Sequence, residues 1–289
     1  MKIAVFYEHI EEAARQNRIK PVKNIYQNIR SFGIDAVELD YDRAVKEEAS
    51  LFRDLKEADF SVSCMYGFFD FAHGSTVEDG RRMVDFAEKH DIRRIMLIPG
   101  FLKKVEFIPF LYQKKLDKMI MALKDICEYA KRRSIMVVLE DFDGKEAPFA
   151  TAEQLSVFLK RIPDLYCAFD TGNFLYSGED SLKVLPLFID RIRHVHCKDR
   201  SFTAKEGEEP KETVDGKKMY SCAVGSGCIQ MKEILDQIIA RKPLHEYGMK
   251  EEEIESFAKT VEETQQRLLN QSYVKLTWQQ MAEIYKELY

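Results

Sequence analysis

Three apolar, strand-like runs in this 289-residue chain each end in a side chain able to ligate a metal: Val138-Leu139-Glu140, Ala168-Phe169-Asp170 and His194-Val195-His196. Their last residues lie 30 and 26 positions apart. One strand-plus-helix unit of a (β/α)8 barrel takes roughly 31 residues, from ~250 over eight repeats. That interval sets the three side chains on consecutive parallel strands, at the rim where barrels build their active sites. The expectation is an α/β fold, a (β/α)8 TIM barrel, carrying a divalent-metal site.

The rest of the chain alternates in the same way. Strand patterns at Lys2–Tyr7, Ala36–Leu39, Ser61–Met65, Arg94–Ile98, Ile135–Leu139, Leu165–Phe169 and Arg193–Cys197 are separated by helical ones. The helical patterns cover Val22–Phe32, Ala49–Lys56, Ser75–His90, Pro109–Arg132, Thr151–Arg161 and Asp180–Ile189. Thr151-Ala152-Glu153-Gln154 has the spacing of a capping box. Beyond the seventh strand, the polar stretch Ser201–Met219 lacks apolar periodicity and reads as a long loop, either a mobile lid or a disordered insertion. Helix Met231–Ala240, a weak eighth strand Tyr247–Lys250 and helix Ile254–Leu269 complete eight pairs. Alternation of this kind points to βαβ units and a parallel sheet. It divides the chain into one barrel domain, 1–271, and a short C-terminal helical extension, 272–289, which packs on the barrel or on a partner subunit in a homo-oligomer.

Composition narrows the classes of function. A formal net charge of −5 repels phosphodiester backbones, so nucleic acid is not an expected partner. No apolar run is long enough to cross a bilayer, and the chain opens directly on a strand pattern, so neither membrane nor secretory leader is expected. The six cysteines form no Cys-x-x-Cys pair, which fits a reduced, cytoplasmic setting. No Gly-x-Gly-x-x-Gly follows a strand, against a dinucleotide fold.

Strand pleating puts Val138 with Glu140, and Ala168 with Asp170, on one face of each strand. His194 and His196 likewise share a face; His196, nearer the strand end, is the better ligand, and His194 suits a buried supporting position. Lys198 continues that face and can hold an anionic substrate oxygen. A fourth ligand is sought after the loop, in Glu251-Glu252-Glu253. Glu251 is the candidate, with Glu252 its rival if the strand slips by one residue. The aromatic loop Tyr66–Phe71 would stand at the same rim, with Phe68, Phe69 and Phe71 either walling off substrate, binding a second subunit or packing under a helix.

Taken together, Glu140, Asp170-Thr171-Gly172-Asn173, His194-Val195-His196-Cys197-Lys198-Asp199 and Gly225-Ser226-Gly227 resemble the xylose isomerase-like superfamily, most closely its sugar-phosphate isomerase/epimerase branch. The resemblance implies metal ligands Glu140, Asp170, His196 and Glu251, with Glu140 and Glu251 also acting as acid and base on opposite faces of the substrate. It also implies a substrate contact at Asn173; Lys198, Arg200, His194 and Phe68, by their positions near the rim, are the further substrate-binding candidates. Many relatives carry histidine where Asn173 stands.

Such a site suits proton transfer next to a carbonyl, with one divalent ion (Mn, Mg, Co or Zn) stabilising the enediolate. The leading expectation is therefore a metal-dependent isomerase or epimerase of a small sugar, sugar phosphate or keto acid. A dehydratase or lyase of a polyol is the alternative enzyme, since elimination starts from the same proton abstraction. A non-catalytic sugar-binding barrel is the alternative without chemistry. An apurinic-site endonuclease, which resembles this set in fold, is disfavoured by six histidines and the negative charge.

Overall fold

The structure, a computed structural model, describes residues 3–204, 207 and 209–241. Seven parallel strands form one sheet in strict chain order. They are β1 (Ala4–Phe6), β2 (Ala36–Asp40), β3 (Ser61–Phe68), β4 (Arg94–Ile98), β5 (Met136–Glu140), β6 (Leu165–Asp170) and β7 (Ile192–His196). Between them run α1 (Tyr7–Gln16), α2 (Tyr26–Ser31), α3 (Tyr41–Lys46), α4 (Glu48–Glu57), α5 (Val77–Lys89), α6 (Pro109–Lys131), α7 (Ala152–Arg161) and α8 (Ser181–Phe188).

The sheet is curled. Neighbouring strands lie about 4.8 Å apart, so a flat sheet would hold β2 and β7 about 24 Å apart. Glu38 on β2 nevertheless touches His194 and His196 on β7, and the Phe6 ring of β1 lies 5.1 Å from the His196 ring. That curvature is an α/β barrel. The expected eighth strand, Tyr247–Lys250, and the division at residue 271 lie outside the described residues.

Helix starts follow local chemistry. At α5, the Thr76 and Asp79 side chains accept each other's backbone N–H, and at α7 Thr151 and Gln154 do the same. These reciprocal caps satisfy amides that the first turn leaves free. One apolar cluster then runs from Ile10 through the strands to Ile238. Val138 and Ala168, the residues beneath Glu140 and Asp170 on their strands, are fully buried in it.

Three expectations are corrected. The polar stretch after the seventh strand is not a plain loop. Its described part, with flanking residues, forms β8 (Asp199–Ser201), β9 (Lys211–Glu212) and β10 (Lys218–Cys222), an antiparallel sheet in the order β8-β10-β9. Its turn holds Asp215-Gly216, with Gly216 at φ +81°, a hairpin signal that apolar periodicity cannot register. Second, β3 runs on to Phe68, so half of the aromatic loop is strand. Its aromatics divide: Phe68 is 56% exposed, whereas Phe71 is buried and stacked on Phe69. Third, α1 and α3 fall where no helix was expected. In α1 the buried residues Tyr7, Ile10 and Ala14 keep helical spacing, but only one is a large aliphatic. After β10 comes α9 (Met231–Arg241), close to the expected helix.

Candidate metal centre

The ends of β5, β6 and β7 converge. Asp170 pairs directly with His196 in the sheet register, and Glu140 pairs with Ala168, two residues before Asp170. One ligand atom each from Glu140, Asp170 and His196 lies within 4.8 Å of the others, and all three residues are buried. The Glu140 carboxylate contacts His196 Nδ1. Glu251, the expected fourth ligand, and its rival Glu252 lie outside the described residues.

Each ligand is held by a separate local device. Asp170 Oδ1 accepts the backbone N–H groups of Gly172 and Asn173, both at 2.8 Å, while Oδ2 lies 3.2 Å from Lys198 Nζ. The Thr171 hydroxyl accepts Lys198 N–H at 2.9 Å and donates to the Lys198 carbonyl at 2.8 Å. Thr171 N–H also donates to the His196 carbonyl at 3.0 Å. The Asp-Thr-Gly-Asn run therefore ties the end of β6 to the segment leaving β7.

His196 stands between two carboxylates: Nδ1 faces Glu140, and Nε2 lies 3.1 Å from Glu38 Oε2. The other Glu38 oxygen takes His194 Nε2 at 2.9 Å. Burial works against charge on His196, but Glu140 and Glu38 raise its pKa well above the ordinary histidine value. Burial likewise opposes ionisation of Glu38, yet hydrogen bonds from His194 and His196 hold its carboxyl well below the usual carboxylate range. His194 titrates low because burial outweighs its bond to Glu38. Burial pushes Asp170 up to about 6, against the pull of Lys198.

Glu38 was not among the residues singled out from sequence. Its signal was a carboxylate in mid-strand between Val37 and Leu39, a placement that costs several kcal/mol unless the charge is paired. Asp141 was missed too. It is fully buried, and neither carboxylate oxygen has a hydrogen-bond partner among the described residues. Burial and the neighbouring Asp170 and Glu140 push its carboxyl well up.

The remaining candidates separate. Asn173 is committed at both ends: Nδ2 donates to the Asp141 carbonyl at 2.8 Å, and Oδ1 accepts Lys198 Nζ at 2.6 Å. Arg200 is buried; Nη2 bonds Asp143 Oδ2 and Nη1 bonds Ser221 Oγ, both at 2.9 Å. Lys211 of β9 reaches the other Asp143 oxygen at 2.8 Å, which ties the small sheet to the segment following β5. His194 is turned to Glu38, and Phe68 is exposed at the end of β3. His73 binds Asp70 and Glu106, away from this cluster.

The donor set fits a divalent ion. Two carboxylates and an imidazole are the hard and borderline ligands that such ions take, and two negative charges match one dication. Glu140, Asp170 and His196 would hold it.

Comparison with known proteins agrees with this architecture. A 71-residue stretch is 51% identical to 4-hydroxybutyrate dehydrogenase of Clostridium kluyveri, covering 25% of this chain and 19% of that protein. Inosose dehydratase of Bacillus cereus is 30% identical over 132 residues, 45% of this chain and 41% of the relative. The chain thus spans less than half the length of either curated relative. Among solved structures, the probable 3-DHS dehydratase AsbF from Bacillus anthracis superposes with a TM-score of 0.62 at 17% identity, over 83% of this chain and 89% of that one. The IOLI protein with a binding zinc atom gives 0.58 at 13% identity, over 90% and 96%. At those identities the two structures establish the fold alone. The sequence profile of the xylose isomerase-like TIM barrel matches residues 26–266, and the chain belongs to that family.

Proposed function

We propose that this protein is a divalent-metal-dependent enzyme that moves a proton next to a carbonyl in a small sugar, cyclic polyol ketone or keto acid. The observation carrying this reading is the convergence of Glu140, Asp170 and His196 within 4.8 Å at the ends of adjacent strands, with Lys198 beside them. A divalent ion held there supplies a Lewis acid for adjacent substrate oxygens.

The chain's own groups divide the remaining work. Glu140 is the base: it lies at the rim and can accept a proton from the substrate carbon, a step typically worth ~10²–10⁴ in rate. Burial opposes its charge, but Asp170, Glu140 and Asp143 keep the Lys198 ammonium protonated, its pKa raised. Placed 2.6 Å from Asn173 Oδ1, Lys198 offers its remaining protons to a substrate oxygen that gains charge or leaves. Glu251 is the expected acid–base group on the opposite substrate face.

Two outcomes share that first proton transfer. Return of the proton to the other face or the neighbouring carbon gives an epimerase or isomerase. Loss of a β-hydroxyl, assisted by Lys198, gives a dehydratase; the similarity to inosose dehydratase favours this second reading. The test is incubation of the Mn²⁺-, Co²⁺- or Zn²⁺-loaded protein with ketoses, inososes and keto acids in deuterated water. Deuterium at the carbon beside the carbonyl, absent with a Glu140→Gln variant that still binds the ion, supports the proton transfer. A new epimer or isomer identifies the first outcome, and a dehydrated product the second. Bound metal without exchange in any substrate overturns the reading in favour of a non-catalytic, sugar-binding barrel.

A further inference from the structure

Glu38 lies on β2, on the far side of the barrel from the three strands that carry the ligands, yet it binds the ring of one ligand. An ionised carboxylate only accepts hydrogen bonds. Each histidine nitrogen facing Glu38 must therefore be the protonated one, and in both cases it is Nε2. In the ion-free protein the same argument puts a proton on Nδ1, which faces Glu140. A metal ion shared with Glu140 would take that proton's place, so Nδ1 is the nitrogen that can ligate.

A second arrangement must be weighed, because Glu38, His194 and His196 also bring ligand atoms within 4.8 Å of one another. Both clusters use His196. Filling both would require both nitrogens of one ring to donate lone pairs, which means an imidazolate. A single ion must therefore choose. The outer cluster offers two carboxylates and the inner cluster one, so charge matching favours the outer position. Glu38 is then left behind the imidazole, as in carboxylate–histidine–metal arrangements, where the outer carboxylate orients the ring and raises its basicity.

From this geometry we infer that Glu38 is a positioning residue. It holds His196 with its proton on Nε2, so that Nδ1 is presented to one divalent ion shared with Glu140 and Asp170. The inference rests on the metal-centre reading above and assigns a role to a residue on β2. His194 shares the same carboxylate, its ring 4.9 Å from that of His196 and nearly perpendicular to it at 82°. The two histidines thus brace Glu38 between them.

The test uses the full chain, labelled with ¹⁵N-histidine and loaded with Zn²⁺. Two-bond ¹H–¹⁵N spectra report the tautomer of each of the six histidines, and the His196→Gln variant assigns the relevant signal by its loss. The expected result is one bound Zn²⁺ per chain, with the His196 proton on Nε2 and Nδ1 coordinated. In Glu38→Gln, chelator competition should show a 10–100-fold loss of Zn²⁺ affinity, in line with other outer carboxylates, with the circular dichroism unchanged. A His196 proton on Nδ1 overturns the inference while leaving the metal centre standing, as does unchanged affinity in Glu38→Gln. Two Zn²⁺ ions per chain overturn it in favour of the inner cluster. Should Glu38→Gln not fold, the wild-type spectrum alone decides. A wild-type protein that takes up no Zn²⁺ overturns the metal-centre reading itself, and the inference falls with it.

Discussion

The carbonyl oxygen of Lys198 sits where it nearly touches the open side of Gly172: a Cβ added there would lie 2.6 Å from it and 3.1 Å from Lys198 Cγ. No side chain fits in that space. Closeness of the two backbones allows Thr171 to bind Lys198 at both its N–H and its carbonyl. Gly172→Ala should cost about 1–3 kcal/mol, the usual penalty for overpacking a well-filled contact. It should also shift Lys198 away from Asp170. Urea denaturation measures the first effect. If the proton-transfer reading holds, activity should fall more than stability explains. Wild-type stability in the Gly172→Ala variant would show that the two segments separate without cost.

Asp170 divides its oxygens between two tasks, and substitution can separate them. An asparagine retains an oxygen for the Gly172 and Asn173 amides but faces Lys198 with an uncharged group. Asp170→Asn should lose more than about 100-fold in affinity for a divalent ion, a larger loss than for a residue behind the ligands. Near pH 7 the ion-free protein should melt at the same temperature or higher, because burial and Glu140 disfavour the Asp170 charge more than Lys198 favours it. Chelator competition paired with thermal melts gives both numbers. A large drop in the ion-free melting temperature would assign Asp170 chiefly to the fold.

Cation binding should depend on pH through the same residue. With a folded pKa near about 6 against an ordinary value of 3.8, Asp170 is protonated in the ion-free fold under mildly acidic conditions. A raised carboxyl pKa contributes stability that is fully present below 3.8 and is lost as pH rises through about 6. An ion needs the deprotonated form and so works in the opposite direction. His196 is also protonated in the ion-free fold. Affinity should therefore rise by up to about a hundredfold per pH unit below about pH 6, where two protons are displaced, and by about tenfold per unit just above it, where only His196 gives one up. The thermal shift produced by Co²⁺ should grow over that range. A dependence whose slope does not change near about pH 6 would remove Asp170 from the ligand set.

Asp199 anchors the turn that follows β10. Its Oδ2 accepts Gly225 and Gly227 N–H groups at 2.9 Å, and its Oδ1 accepts those of Arg200 and Ile229 at 2.8 and 3.2 Å. This explains the Gly225-Ser226-Gly227 motif: a Cβ on Gly227 would collide with the Asp199 carboxylate and with the Arg200 carbonyl. Asp199→Ala should cost about 1–3 kcal/mol, because water can reach part of the turn and replace some of the lost acceptors. Hydrogen exchange should quicken at Gly225 and Gly227 and stay unchanged in β2 to β6. Uniform acceleration across the sheet would mean that Asp199 supports the barrel as a whole.

Much of the candidate site was legible because its information is local. The period of two along each strand assigns faces, and the strand end assigns height, so Glu140, Asp170 and His196 could be aligned from spacing alone. Capping pairs such as Thr151 and Gln154 are equally local. The small sheet was not legible, because β8 and β9 are short and polar and are stabilised by contacts such as Lys211 with Asp143. Asn173 shows a subtler limit. Sequence placed it near the site, but not that its amide would be committed to Asp141 and Lys198.

What the sequence determined by itself is therefore the order of the strands and the residues that crown β5, β6 and β7. Only the tertiary structure decided what stands behind them. Glu38 precedes His196 by 158 positions, and nothing in the pattern of either strand refers to the other. Their meeting depends on the sheet curling until β2 faces β7, a consequence of the twist accumulated over all the strands between. Periodicity records which way a side chain points; the closure of the barrel supplies what it meets.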